Sequence, residues 1–334
     1  MPAPFLIAGP CAAENQTQVV ETARQVVSLL GNTVIFRAGV WKPRTNPNTF
    51  QGVGEEALLW LQQVQKQTGM AVATEVATPE HIEQAMAAGI DYLWLGARTT
   101  ANPILVQQLA DTIARLPQND TLRGVFVKNP VNEDVQLWLG DIERIERTGV
   151  PAMAIHRGCA HRPCWAMAHT FRLTRPDIPL LLDPSHLGGS AAKIMPLMHY
   201  ARDLAFDGAM IETHLAPQDA LSDAPQQITP LRLKNVMDTY PLPYGSTEQT
   251  ELSWLRAEID EIDDRLWDCI AMRMKVSERI GQWKKRYDIP PLQQSRFNEI
   301  LEKRIEWAEQ NQLPRTLVES IFRDIHAASL KRQE

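Results

Sequence analysis

Cysteine is scarce in this sequence: there are four in 334 residues, and no two form a CxxC pair. That scarcity excludes the disulfide framework of a secreted protein. The N-terminus lacks a basic segment followed by an apolar one, and no run of about 18 apolar residues occurs, so neither a signal peptide nor a membrane span is expected. Basic excess is missing too. Thirty-four Lys and Arg stand against 40 Asp and Glu, a net charge of −6, which argues against a nucleic-acid partner. The expectation is a soluble protein of a reducing compartment, the cytoplasm, with no nucleic-acid or membrane partner. Any cationic cluster should then be local and specific.

What is present divides into two patterns, as the length leads one to expect. Over residues 5–240, short apolar runs alternate with helical stretches. The runs are FLIAG (5–9), VIFRA (34–38), AVATEV (71–76), YLWLG (92–96), GVFVK (124–128), AMAIH (152–156), LLLD (180–183) and AMIE (209–212). Their near-continuous apolar character fits parallel strands covered on both faces. Eight such units in about 240 residues match an α/β (β/α)8 TIM barrel. A doubly wound open sheet is the competing reading.

The pattern changes after PLPYG (241–245), the expected linker. Residues 1–240 are taken as the barrel, 241–250 as linker and 251–334 as an all-α helical domain. Proline is absent from 248 to 287, and Gly281 is the lone glycine there. Leu252, Leu255, Ile259, Ile262, Leu266, Cys269, Val276, Ile280 and Trp283 recur at steps of three and four, with Arg273 at the one interruption. This spacing predicts a single helix of roughly 60 Å, ended by Pro290-Pro291. Shorter helices are expected at about 294–310 and 315–331.

Chemistry in such a barrel sits at the C-terminal ends of the strands. The residues found there are Cys11, Arg37 with Lys42 and Arg44, Glu75, Arg98, Lys128, Arg157, His186 and Glu212. So many cations on one rim would repel one another without a polyanionic ligand, and phosphate or carboxylate suits the guanidinium fork. Cys11, His186, Glu212 and Asp223 form a mixed sulfur, nitrogen and oxygen set suited to a divalent transition metal. Cys159 and Cys164, near His161, are read as loop cysteines rather than a zinc site.

GPC (9–11), KPRT (42–45), GARTT (96–100), HRG (156–158), DPSH (183–186), IETH (211–214) and ALSD (220–223) together resemble the type I 3-deoxy-D-arabino-heptulosonate-7-phosphate (DAHP) synthases, β subgroup. The resemblance implies condensation of phosphoenolpyruvate (PEP) with erythrose 4-phosphate. It implies a divalent metal (Mn, Fe, Co or Zn) on Cys11, His186, Glu212 and Asp223. It further implies a PEP site of Arg37, Lys42, Arg98, Lys128 and Arg157, and an aldose-phosphate site of Arg44 and Thr45. Glu75 is a candidate for positioning the attacking water, with a carboxylate that simply bridges the rim cations as the equal alternative. The related eight-carbon sugar acid phosphate synthases share the fold and PEP site but carry a KANR-type segment, so KPRT favours the four-carbon aldose.

In the helical part, Arg273 replaces an apolar residue in the seam. A buried guanidinium without a partner is costly, so either a register-setting residue or an anion pocket is expected. The spacing of Arg256, Arg273, Lys284 and Arg296 resembles the all-helical (AroQ-type) chorismate mutases over about residues 250–333. That resemblance implies a pocket of Arg273, Lys284, Arg296, Ser329 and Gln333, with Arg256 supplied by a second chain, hence a homodimer or larger. Lys284 and Gln333 would stabilise charge on the ether oxygen of chorismate. Gln293 and Phe297 depart from the pattern, since these positions are often acidic and contact the substrate hydroxyl. The expectation is an active mutase that rearranges chorismate to prephenate and also regulates the barrel, with prephenate inhibiting the synthase; a domain that is mainly a chorismate- or prephenate-binding sensor is the alternative.

Overall fold

The computed structural model describes residues 5–42, 48–117, 122–160, 162–241 and 250–333. Strands β1 (Phe5–Gly9), β2 (Ile35–Arg37), β3 (Val72–Val76), β4 (Tyr92–Leu95), β5 (Gly124–Lys128), β6 (Ala152–His156), β7 (Leu180–Leu182) and β8 (Gly208–Glu212) form one closed parallel barrel in sequential order. Closure is made by β1 and β8, in register from Phe5 opposite Gly208 to Gly9 opposite Glu212. This rules out the open sheet. Gly208 is required at that seam, because a Cβ there would lie 2.3 Å from the Phe5 carbonyl oxygen.

The strands are buried on both faces, as their unbroken apolar runs predict. Ile7, Trp94, Phe126, Met153, Leu181 and Met210 fill the lumen. A larger cluster lies between the strands and the surrounding helices. Those helices are α1 (Gln16–Leu30), α2 (Glu56–Thr68), α3 (Pro79–Ala87), α4 (Pro103–Ala114), α5 (Val135–Glu146), α6 (Trp165–Thr174), the short α7 (Pro184–Gly188), α8 (Ile194–Asp203) and α9 (Pro230–Thr239). Their starts follow from local sequence. Asn15, Thr78, Asn102, Asp134, Asp183 and Thr229 each accept a backbone N–H of the first turn, and proline opens α3, α4, α7 and α9.

The chain falls into two compact units, Met1–Glu258 and Ile259–Glu334. The first takes in the opening turns of α10 (Thr250–Arg286). Trp254 is 1% exposed, stacks on His169 of α6 at 5.3 Å and packs against Phe206 at 5.5 Å. His169 Nδ1 lies 2.6 Å from Glu258 Oε1. Most of the expected linker, 242–249, lies outside the described residues.

The second unit holds the rest of α10, with α11 (Gln294–Gln310) and α12 (Arg315–Gln333). The long helix is found, but Pro290 does not end it. It stops at Arg286, and Asp288 adopts a left-handed conformation (φ 52°) that lets the Ile289 N–H reach the Lys284 carbonyl at 3.0 Å. That hydrogen bond is a C-terminal cap formed before the prolines are reached. Ile259, Ile262, Leu266, Val276, Ile280 and Trp283 are each 42–58% exposed. The apolar stripe read from the sequence is therefore left uncovered by its own chain. No helix among the described residues is long and apolar enough to cross a membrane.

Candidate active sites

The barrel strands deliver Cys11, Arg37, Glu75, Lys128, Arg157 and Glu212 to one rim, as expected. Cys11, two residues beyond β1, is fully buried. Its sulfur lies 2.9 Å from Asp223 Oδ2 and 3.1 Å from Ser222 Oγ. Glu212, the last residue of β8, is also fully buried. Its Oε2 accepts from Gln226 Nε2 at 2.7 Å, while Oε1 has no hydrogen-bond partner among the described residues. Ligand atoms of Cys11, Glu212 and Asp223 all lie within 4.8 Å of one another.

His186, in the first turn of α7, lies beside this group. Its Nδ1 is 2.9 Å from Asp183 Oδ2, which turns Nε2 toward Glu212 Oε1 at 3.6 Å. A ring nitrogen fixed by one carboxylate, with the other nitrogen turned toward a second carboxylate, suits a metal-ligating histidine. Glu212 Oε1, which faces cations but accepts no hydrogen bond among the described residues, and the donor set both fit a divalent transition metal.

The electrostatics are strongly coupled. Burial pushes the Cys11 thiol well above its ordinary value, and the Glu212 charge adds to this. Burial opposes ionisation of Glu212 as well, but His186, Arg37 and Lys42 outweigh it and lower its pKa. Asp183 is likewise held well below the usual carboxylate range, since His186 and Lys128 overcome the burial penalty. Cys11 therefore gives up its proton only when a stronger positive charge arrives.

The cations lie beside this group. Arg37 is 1% exposed, with its guanidinium 4.6 Å over the Trp94 ring. Nη2 donates to the Cys11 carbonyl at 3.2 Å and sits 3.4 Å from Glu212 Oε1. Nε and Nη1 are buried with no partner among the described residues. Lys42 Nζ donates to the Cys11 carbonyl at 3.1 Å and lies 3.6 Å from Glu75 Oε2. Burial works against its ammonium, yet Cys11 and Glu75 raise the pKa above the ordinary value. With the thiol protonated at neutral pH, Glu75 is the effective partner. Gly96 makes room for that carboxylate, because a Cβ would meet Glu75 Oε1 at 2.1 Å.

Lys128 is paired with Asp183 at 2.6 Å. Arg157 is placed by its own N–H, donating to Asn129 Oδ1 at 2.7 Å. Arg98 is exposed in the turn after β4. Arg44 and Thr45 lie outside the described residues, as does His161 between Cys159 and Cys164. Both of those cysteines are buried.

Sequence reasoning overlooked the residues that hold these side chains in place. Asp183 anchors His186 and Lys128 together, Ser185 Oγ accepts the Glu212 N–H at 2.9 Å, and Gln227 Oε1 accepts the Cys11 N–H at 3.1 Å. Only Asp183 carried a signal, an Asp three residues before a His at a helix start.

In the second unit, Arg273 Nη1 donates to Ser329 Oγ, and to the Ile325 carbonyl at 3.3 Å. The interrupting cation is thus paired against α12. Burial and the charge of Arg304 lower its pKa. Gln333 is buried one helical turn along the same face, where Gly281 allows contact: a Cβ on Gly281 would lie 2.5 Å from Gln333 Cα. Lys284 Nζ donates to the Pro291 carbonyl. Arg296 is exposed and pairs with Glu299 of its own helix at 2.8 Å, so it is not brought to Arg273. Arg256 is exposed and belongs to the first unit.

Residues 2–240 match the sequence model of the DAHP synthetase I family, and residues 255–334 that of chorismate mutase type II. A phospho-2-dehydro-3-deoxyheptonate aldolase of Thermotoga maritima is 30% identical over 241 residues, covering 67% of this chain and 64% of that protein. The chain thus spans just under two thirds of that relative. A 2-dehydro-3-deoxyphosphooctonate aldolase of Campylobacter jejuni is 27% identical over 256 residues, covering 70% of this chain and 94% of its own. The crystal structure of the Thermotoga maritima DAHP synthase superposes with a TM-score of 0.61 at 27% identity, over 70% of this chain and 68% of that one. A parallel barrel closed between β1 and β8, with cysteine and carboxylate grouped at that seam, agrees with these matches: the chain belongs to the DAHP synthetase I family and carries a chorismate mutase type II segment at its C-terminal end.

Proposed function

We propose that the barrel condenses PEP with erythrose 4-phosphate and water to give DAHP and inorganic phosphate. The observation that carries this reading is the buried Arg37 guanidinium, with two unmet donors beside the Cys11, Glu212 and Asp223 group. A small polyanion with a phosphate and a carboxylate satisfies such donors, and Lys42, Arg98, Lys128 and Arg157 share its charge. Cys11, His186, Glu212 and Asp223 would hold a divalent ion, Mn, Fe, Co or Zn, which supplies Lewis acidity toward the aldehyde carbonyl. Arg37 and Lys42 fix PEP with its double bond facing that aldehyde. Glu75 positions the water that adds to the PEP carbon as positive charge develops there, and phosphate then departs toward the cations.

The KPRT segment (42–45), with Arg44 and Thr45 on the aldose phosphate, supports the four-carbon sugar over arabinose 5-phosphate. The helical segment rearranges chorismate to prephenate. Arg273 and Lys284 hold its carboxylates in the reactive conformer, and Lys284 and Gln333 face the ether oxygen. The uncovered stripe on α10 supports a homodimer in which a second chain brings Arg256 to this pocket. A second reading, in which the helical segment is chiefly a prephenate or chorismate sensor that inhibits the barrel, is favoured by Phe297 and by the Arg296–Glu299 pair.

A paired assay tests these readings. PEP loss with erythrose 4-phosphate should stop on addition of a chelator, while chorismate loss continues. PEP turnover that survives complete metal removal overturns the metal reading. Faster turnover with arabinose 5-phosphate overturns the aldose assignment. No chorismate loss, with prephenate still inhibiting the barrel, selects the sensor reading.

A further inference from the structure

One face of α12 carries three polar residues at steps of three and four: His326, Ser329 and Gln333. Ser329 is engaged by Arg273. Each of its two neighbours keeps one unmet polar atom. His326 Nε2 and Gln333 Oε1 are both shut off from solvent with no hydrogen-bond partner among the described residues. Buried atoms of this kind ordinarily find a partner. They stand about 10 Å apart along the helix, on either side of the residue that binds the guanidinium. The resemblance to chorismate mutases accounts for Gln333, but not for His326.

The surroundings of the imidazole define what it can bind. Phe297 packs against it with ring centroids 4.4 Å apart, and Phe322 lies beyond at 6.2 Å. These contacts fix the ring plane. Burial, then the charges of Arg273 and Lys284, lower its pKa and so favour the neutral ring. A neutral imidazole offers a donor or an acceptor without a charge. In a pocket whose cations are matched by two carboxylates, it suits the remaining polar group of chorismate, the ring hydroxyl. The resemblance to the chorismate mutases implies that an acidic side chain at position 297 would reach that hydroxyl; Phe297 cannot form that hydrogen bond.

We propose that His326 Nε2 hydrogen-bonds the ring hydroxyl of chorismate and is a specificity-determining residue of this pocket, doing what the side chain at 297 does not. The inference rests on the mutase reading of residues 255–334.

The test compares chorismate with an analogue lacking the ring hydroxyl, using the full-length chain. His326→Ala should lower kcat/KM for chorismate about tenfold, the worth of one neutral hydrogen bond. Turnover of the analogue should change little, so the preference for chorismate collapses. His326→Gln should restore part of that preference, while PEP turnover and the unfolding midpoint stay as in the wild type. Equal losses on both substrates, or no loss on either, overturn the assignment while leaving the mutase reading intact. A wild-type chain that converts no chorismate overturns the mutase reading, and this assignment with it.

Discussion

Asp183 grips His186 twice: Oδ1 accepts the His186 backbone N–H at 3.0 Å, and Oδ2 lies 2.9 Å from Nδ1. The same Oδ2 is 2.6 Å from Lys128 Nζ. One carboxylate therefore caps α7, orients the proposed metal ligand and restrains a cation proposed for PEP. Asp183→Asn should weaken Mn2+ binding about 10- to 100-fold. Chelator competition measures this directly. Wild-type affinity in the variant would show that Nε2 is aimed by something other than Asp183.

Gly96 and Glu75 give a second prediction. The Cβ of Gly96→Ala would collide with a carboxylate oxygen, the mobile end of a side chain, so the fold should barely be affected. Glu75 must swing away from Lys42, and kcat/KM for PEP should drop at least about tenfold if its place matters. Steady-state kinetics beside a thermal melt separate the two effects. Unchanged kinetics would remove Glu75 from the mechanism.

Asp141 gives a pH prediction outside either site. It is fully buried on α5, with Arg144 at 3.5 Å and Oδ2 unmet among the described residues, and burial pushes its pKa up to about 7. The folded chain holds this proton more tightly than the unfolded chain, where an aspartate titrates near about 4. Its contribution to stability is therefore present below about pH 4 and is lost as pH rises through about 7. Asp141→Asn should be more stable than wild type at pH 8 by up to about 4 kcal/mol, with the gap closing near pH 4. Denaturant melts across this range check it, and a gap independent of pH would refute the assignment.

Gly281 gives a fourth. Alanine is the better helix former by about 1 kcal/mol, but here its Cβ meets the Gln333 backbone rather than a flexible tip. Overpacking against backbone costs about 1–3 kcal/mol, so the clash should win. Gly281→Ala should lose most chorismate turnover and keep PEP turnover. Equal retention of both activities would show that α12 gives way without consequence.

The barrel was readable because strands covered on both faces leave uninterrupted apolar runs, and β1, β5 and β6 begin and end where those runs do. The rim residues were readable because they follow the runs at one end. Ser185, Gln226 and Gln227 were not, because each acts through a long-range hydrogen bond that no local pattern encodes. The end of α10 was misread at Pro290, since the left-handed turn at Asp288 depends on a backbone hydrogen bond rather than on a residue type with an obvious stop signal. His326 went unnoticed because one histidine on a helix has no period. Only its unmet nitrogen beside Phe297 distinguishes it.

The seam between β1 and β8 joins the first strand of the barrel to the last. Cys11 follows one and Glu212 ends the other, with Asp223 eleven residues further on. No partial chain can own this ligand set: during synthesis, Cys11 waits until more than 200 further residues have emerged and the ring has shut. Metal capture would then report that the barrel is complete, and the bound ion would act as a clasp on the joint that every other strand depends on.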